Sequence, residues 1–186
     1  VMPRDGGSAD VRWFDVEPCY VFHPMNAYDG DPSEGDTVVL YALLDSPSVT
    51  GAYRFVVRPG SETVTLVKAR IFLRENVTKL GLAPLTSMFF FGENQQPAAR
   101  DYRPEVHDSD GLLLYSDTGE WLWRPLDNPT RINVSSFATK NPRGFGLIQR
   151  DRDFASSQDI ETRAELRPSV WVEPRGDWGE GHVELV

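Results

Sequence analysis

Glu105, His107, Asp108 and Asp110 place three carboxylates and an imidazole within six consecutive positions, inside the stretch Arg103-Pro104-Glu105-Val106-His107-Asp108-Ser109-Asp110-Gly111. Carboxylates and imidazole give and take protons near neutral pH, so this spacing suits acid–base work on a bound substrate. Apolar runs lie on either side, Met88 to Phe91 before and Leu112 to Tyr115 after. The same residues also make good turn chemistry, because Asp and Ser bond local backbone and Gly accepts positive φ. On the residues alone both readings stand.

Further candidates lie around this stretch. Glu93, Asn94 and Gln95 follow an apolar run and suit either a binding cluster or a strand cap. Trp121, Trp123, Trp171, Trp178, Tyr102 and Tyr115 offer flat faces on which a sugar could stack. Trp121 and Trp123 fall on one strand face, where core packing is the expected use of large aromatics. Arg124 and Arg152 could bond substrate hydroxyls, or satisfy acids such as Asp151 and Asp153.

Composition narrows the function classes. The 186 residues suffice for one domain with a real core. A formal charge of −9 opposes nucleic-acid binding, which needs clustered Lys and Arg to neutralise phosphates. A neutral ligand such as a sugar is compatible with that charge. The single cysteine, Cys19, excludes an internal disulfide and a Cys-rich metal site. No apolar run is long enough to span a membrane, and no signal peptide is recognisable at the start. The strand-like ending Glu184-Leu185-Val186 reads as a chain cut at one or both ends. Oligomeric state is open.

Alternation of apolar and polar residues predicts strands almost throughout. Val11 to Val16 and Cys19 to His23 are candidates, followed by a loop over 29–36. Tyr41 to Pro47, a strand ending in a turn, Gly51 to Gly60 and Thr63 to Leu73 follow, the last as a long half-buried strand. Residues 74–81 suit either a helical turn or a strand connection. Met88 to Phe91 reads as a buried strand and Gln95 to Arg103 as a loop. Strands over Leu112–Tyr115, Gly119–Leu126, Asn133–Phe137, Gly144–Phe154, Pro168–Pro174 and Gly181–Leu185 complete the pattern, with a polar connection over 155–166. Short strands separated by Pro and Gly describe an all-β antiparallel sandwich with few or no long helices.

Two family resemblances meet near residues 37–41. Met2-Pro3-Arg4-Asp5-Gly6-Gly7, Arg12-Trp13-Phe14 and the segment Glu17 to Tyr28 resemble the carotenoid and lignostilbene cleavage dioxygenases. Those are β-propellers holding a non-haem Fe(II) with four histidines, and His23 matches one ligand position. The chain holds only His23, His107 and His182, too few for that centre. Residues 1–40 are also the more acidic part, at net −6 against −3 for the remainder.

Residues 41–186 resemble the periplasmic glucan biosynthesis proteins (OpgG/OpgD, MdoG/MdoD). The blocks are Tyr41-Ala42-Leu43-Leu44-Asp45-Ser46-Pro47, Leu82 to Phe89, Phe91-Gly92-Glu93-Asn94-Gln95, Tyr102 to Leu112, Gly119 to Leu126, Gly144 to Phe154 and Arg167 to Gly179. The resemblance implies part of a large, galactose mutarotase-like β-sandwich, incomplete here, and a periplasmic setting. A chimeric chain is expected, dioxygenase-like over 1–40 and glucan-protein-like over 41–186.

Some members of that family act as inverting endo-β-1,2-glucanases. Such hydrolysis needs a carboxylic acid for the leaving oxygen and a carboxylate that activates water. The resemblance implies Asp108 as general acid with Glu105 in support, and Asp110 as the rival. A neighbouring carboxylate would help Asp108 keep its proton. Glu93, Asn94, His107, Trp121, Trp123 and Arg124 are the expected substrate contacts, on a β-glucan polysaccharide. The base should lie upstream of Tyr41, in the dioxygenase-like segment, so weak or absent glucanase activity is expected. A non-catalytic glucan-binding module is the alternative. No cofactor is implied, except Fe(II) under the dioxygenase reading.

Overall fold

The computed structural model describes residues 23–29, 37–97 and 99–186. The expected strands over Val11–Val16 and Cys19–Phe22, and the loop over 30–36, lie outside them. The chain divides into two compact units, 1–80 and 81–186.

The first unit is one antiparallel meander. β1 (His23–Asp29), β2 (Val38–Asp45), β3 (Val49–Arg58) and β4 (Val64–Leu73) pair in chain order. β1 takes in Asp29, which had been expected to begin the loop, and pairs His23 with Leu43 and Asp29 with Val38. The β2–β3 turn closes as its sequence predicts. Ser46 Oγ donates to Val49 O at 2.9 Å and accepts from Val49 N at 3.1 Å. Arg74, just past β4, locks that turn by donating to Ser46 O at 2.7 Å and pairing with Asp45 at 2.7 Å.

β4 corrects one expectation. Its length and alternation are as read, but it is exposed on both faces rather than half-buried, with Phe72 61% exposed. Alternation reports that a strand's two faces differ; it does not supply an element to cover one of them. Residues 74–81 take the strand-connection option, without a helical turn.

The second unit is built on a four-stranded antiparallel sheet of order β11-β10-β7-β8. Its strands are β7 (Gly111–Tyr115), β8 (Trp121–Pro125), β10 (Gly144–Ile148) and β11 (Val170–Val172). A second pair, β9 (Ser135–Lys140) with β12 (Glu180–Leu185), supplies the other layer. Leu112 and Leu114 of β7 meet Val183 of β12 in the core, with Leu122, Phe137, Phe145 and Leu185 packed around them. A short pair, β5 (Phe89–Phe91) with β6 (Val106–His107), carries the acidic stretch. The run into β5 is only partly buried: Phe91 is 1% exposed, whereas Met88 and Phe90 face solvent. Among the described residues, helix is limited to one turn, α1 (Phe154–Ser157), and a 3-10 turn over Ala164–Leu166, both within the expected polar connection or at its edge. The fold is all-β and antiparallel, as the sequence pattern predicts.

The two faces of the four-stranded sheet differ in kind. Leu112, Leu114, Leu122 and Phe145 turn toward the core. Side chains alternate, so Leu113, Tyr115, Trp121, Trp123 and Trp171 project from the other face. Gly144 and Gly146 of β10 lie on that face: the Trp171 indole occupies the space a side chain on Gly144 would take, and the Val170–Trp171 backbone that of one on Gly146. Trp121 is 57% exposed, stacks on Tyr115 at 4.2 Å and 5°, and meets Trp171 at 5.8 Å. Trp121 and Trp123 do share one face, but they form an aromatic surface instead of filling the core. The aliphatic layer on the opposite face already fills it.

Candidate functional site

The acidic stretch is held at both ends of β6. Phe89 pairs with His107 and Phe91 with Val106. The Phe89 ring stacks on the imidazole at 5.3 Å, and Gly92 leaves it room, since a Cβ there would lie 3.1 Å from His107 Cδ2. Glu105, His107 and Ser109 are buried, which a simple surface turn would not require. The stretch therefore turns partly within the interior. Backbone bonds fasten the stretch to three neighbours: Asp108 N to Met88 O at 2.8 Å, Asp110 N to Ile148 O at 2.9 Å and Leu126 N to Asp110 O at 2.8 Å. Ser109 Oγ meets Ser87 Oγ at 2.5 Å.

His107 Nε2 lies 2.8 Å from Glu105 Oε2 and 3.9 Å from Asp110 Oδ1. His107 Nδ1 is buried without a partner. Asp110 Oδ2 accepts from Arg150 N at 2.6 Å. Asp108 stands apart from this pair. Its Oδ1 meets Arg167 at 2.5 Å and its Oδ2 accepts from Met88 N at 3.3 Å. The neighbouring charge that the residues suggested for Asp108 is thus a guanidinium, while Glu105 is taken up by His107.

One pocket gathers most of the expected contacts. Glu93, Asn94, His107, Asp110 and Trp123 line it together with Arg150, whose guanidinium lies 5.6 Å over the Trp123 ring. Asn94 serves both readings given for it: its amide donates to Leu126 O at 2.7 Å while the residue lines the pocket. Trp121 sits one alternation along the same sheet face as Trp123. Arg124 points from the opposite face and donates to Ser135 Oγ at 3.2 Å. Arg152 donates to Glu165 O at 3.3 Å. His23 lies in β1 of the first unit, and His182 in β12 is exposed.

A second, smaller cavity adjoins Glu105 and His107. Gln149, Asp151, Ser157 and Glu165 are among its other polar lining residues. None of these four was singled out as a site residue. They come from the β10–α1 segment and the 3-10 turn, some forty to sixty positions downstream. The Asp151-Arg152-Asp153 pattern was visible, but nothing local linked it to Glu105. The Ser156 hydroxyl bonds the Asp151 carboxylate and, with backbone N–H groups, lowers its pKa. Arg163 does the same for Glu165. Nearby, Arg103 joins Asp101 and Asp159 at 2.8 and 2.9 Å. Asp101 is held down to about 2, chiefly by the Arg103 side chain. Asp159 is also held to about 2, first by the Thr162 N–H and then by Arg103. Two groups offer oxygen or nitrogen ligands within 4.8 Å of one another: Glu105, His107 and Asp110, and Glu93, Glu105 and Asp151.

The second unit is an all-β, antiparallel body with an exposed aromatic sheet face beside an acid-lined pocket. Residues 28–186 match the family described as periplasmic glucan biosynthesis protein, MdoG, and the chain belongs to that family. Among its relatives is glucans biosynthesis protein G of Ralstonia nicotianae, 66% identical over 149 residues, covering 80% of this chain and 30% of that protein. Glucans biosynthesis protein G of Pseudomonas paraeruginosa is 60% identical over 149 residues, covering 80% and 28%. That of Serratia proteamaculans is 56% identical over 156 residues, covering 83% and 30%. The chain thus spans less than a third of the length of these relatives. The family is periplasmic, and no helix among the described residues is long and apolar enough to cross a membrane. The match begins at residue 28, inside the segment that resembles the dioxygenases.

Proposed function

We propose that this chain carries a glucan-contacting surface of a periplasmic glucan biosynthesis protein, and that its lineage acts on β-1,2-glucan as an inverting endo-glucanase. The observation that carries the binding half is the aromatic face formed by Tyr115, Trp121, Trp123 and Trp171, running toward the Glu93–Asp110 pocket. Flat rings with exposed faces suit the apolar faces of sugar rings. Glu93, Asn94 and His107 lie where hydroxyls would be bonded. Asp108 is the general acid in this reading, with Glu105 in support and Asp110 as the pocket-lining rival. The base falls upstream of Tyr41, so turnover by this chain is weak or absent. No metal or other cofactor enters the reaction, and Fe(II) chemistry rests on His23 alone.

One observation favours the non-catalytic alternative. Both Asp108 oxygens already have partners, Arg167 and Met88 N. An acid must free one of them to reach a leaving oxygen. The test is incubation with linear β-1,2-glucan, following oligosaccharide release and, separately, glucan affinity. Release that disappears in Asp108→Asn supports catalysis from Asp108, and loss only in Asp110→Asn moves the acid to the pocket. Affinity without release supports the binding module. If Trp121→Ala and Trp171→Ala leave affinity unchanged, the aromatic face is not the sugar platform.

A further inference from the structure

The oxygens of Glu93, Glu105 and Asp151 converge within 4.8 Å of one another. Three carboxylates at that separation repel unless a proton or a cation lies among them, and Glu105 is buried, where such repulsion is least screened. Oxygens held at 2.3–2.6 Å from a single calcium ion lie at most about 5 Å apart, so the spacing suits one shared ion. Magnesium, at about 2.0–2.1 Å, needs a tighter set.

A second observation is independent of the acids. The buried side-chain atoms without a hydrogen-bond partner, among the described residues, are His107 Nδ1, Gln149 Oε1, Ser157 Oγ and Glu165 Oε2. All four residues line the one cavity that Glu105 and Asp151 also line. His107, Gln149 and Ser157 are each more than nine-tenths buried. Buried polar atoms are almost always satisfied, and orphans clustered around one space mark a missing polar occupant. The cavity is about the size of one water molecule, too small for a sugar.

We propose that Glu93, Glu105 and Asp151 bind a calcium-type divalent cation, with Gln149 Oε1 and Ser157 Oγ facing its coordination sphere directly or through one water. Asp151 Oδ1 accepts from Asp153 N at 3.0 Å and its Oδ2 from the Ser156 hydroxyl, which together fix the carboxylate's orientation. The site shares Glu93 with the pocket beside the sugar face, whereas Asp151, Gln149 and Ser157 line the smaller cavity. It ties the β5–β6 corner, through Glu93 and Glu105, to the segment after β10, and so braces His107 from behind. It does not depend on glucan being the substrate.

The 186-residue chain, stripped with chelator, is titrated with Ca²⁺ and with Mg²⁺ by calorimetry, and with Tb³⁺ by tryptophan-sensitised luminescence. The expected result is one Ca²⁺ per chain, bound at least about tenfold more tightly than Mg²⁺, and a thermal midpoint that rises with Ca²⁺. Glu93→Gln, at an exposed position, and Asp151→Asn should each weaken binding at least about tenfold, with near-UV circular dichroism confirming the fold. Glu173→Gln, the same charge change at an acid bonded only to Arg175, should bind as the parent does. Absence of saturable Ca²⁺ binding up to millimolar concentration overturns the proposal and leaves the cavity to an ordered water. Binding undiminished in both folded variants overturns it too.

Discussion

The glycine pair beneath Trp171 makes the sharpest prediction about how the aromatic face is held. A Cβ on Gly144 would lie 2.2 Å from Trp171 Cζ2, so the obstacle is a ring at the end of a side chain. A Cβ on Gly146 would lie 2.0 Å from Val170 O and 2.9 Å from Trp171 Cα, so the obstacle is backbone. Gly144→Ala can be relieved by swinging the indole aside. That gives up the contact with Trp121, worth about 0.5–1.5 kcal/mol, and adds an overpacking cost of about 1–3 kcal/mol. The sum, about 1.5–4.5 kcal/mol, lowers the thermal midpoint by roughly 3–18 °C for a chain of this length. Gly146→Ala has no such escape. β10 and β11 are joined over only three residue pairs, with Gly146↔Trp171 in the middle, so that pairing must part and the cost exceeds about 3 kcal/mol. Urea unfolding followed by far-UV circular dichroism measures both, alone and combined with Trp171→Ala. The indole's removal should offset most of the Gly144→Ala loss, a coupling of about 1–3 kcal/mol, and little of the Gly146→Ala loss. Equal cost for Gly144→Ala with and without Trp171, or a Gly146→Ala protein as stable as the parent, refutes the packing argument.

Three further outcomes follow from the same structure. Leu114→Ala removes a side chain 3% exposed in the core and should cost about 2–5 kcal/mol in urea unfolding, with little change in the pocket's own residues. Asp101 and Asp159 have folded pKa values of about 2 against an ordinary 3.8, so their contribution is complete above pH 3.8 and is lost as pH falls through about 2. Arg103→Gln should therefore flatten the decline in stability across that window, as read by acid titration of circular dichroism; an unchanged decline would remove Arg103 from the account. Trp121→Ala, at a position more than half exposed, should cost less than about 1.5 kcal/mol of stability while weakening glucan binding, a separation that calorimetry and urea unfolding can test together.

Much of the fold was legible because strand alternation and Pro/Gly punctuation are local signals. The hairpin from Tyr41 to Arg58 shows this, with Ser46 closing its turn as its residue type predicts. Burial was less legible. Thr63 to Leu73 alternates as cleanly as any strand here, yet coverage of a face depends on an element the alternation does not encode. Trp121 and Trp123 were placed on one face correctly and assigned the wrong surroundings, because β7 meets β12 through Leu112 and Leu114 on the other side. The site divides in the same way. Glu105, His107 and Asp110 stood together in the chain and stand together in space. Gln149, Asp151 and Ser157 reach them only through the return of β10 beside β7, a long-range pairing with no local trace. The Arg167 partner of Asp108 was hidden for the same reason.

The backbone clamp on the acidic stretch has a consequence for how any ligand is received. Asp108 N, Asp110 N and Leu126 N all donate across this stretch, and Asp110 also takes the Arg150 N–H on its side chain. Such a segment has little disorder left to lose when a ligand arrives, so association should show the heat-capacity change of the contact surface alone, without a coupled folding component. Its amides belong among the slowest to exchange with deuterium in the second unit, rather than to a mobile class. Substitutions there should alter affinity through dissociation from a ready-made surface, with arrival rates nearly constant from one variant to the next.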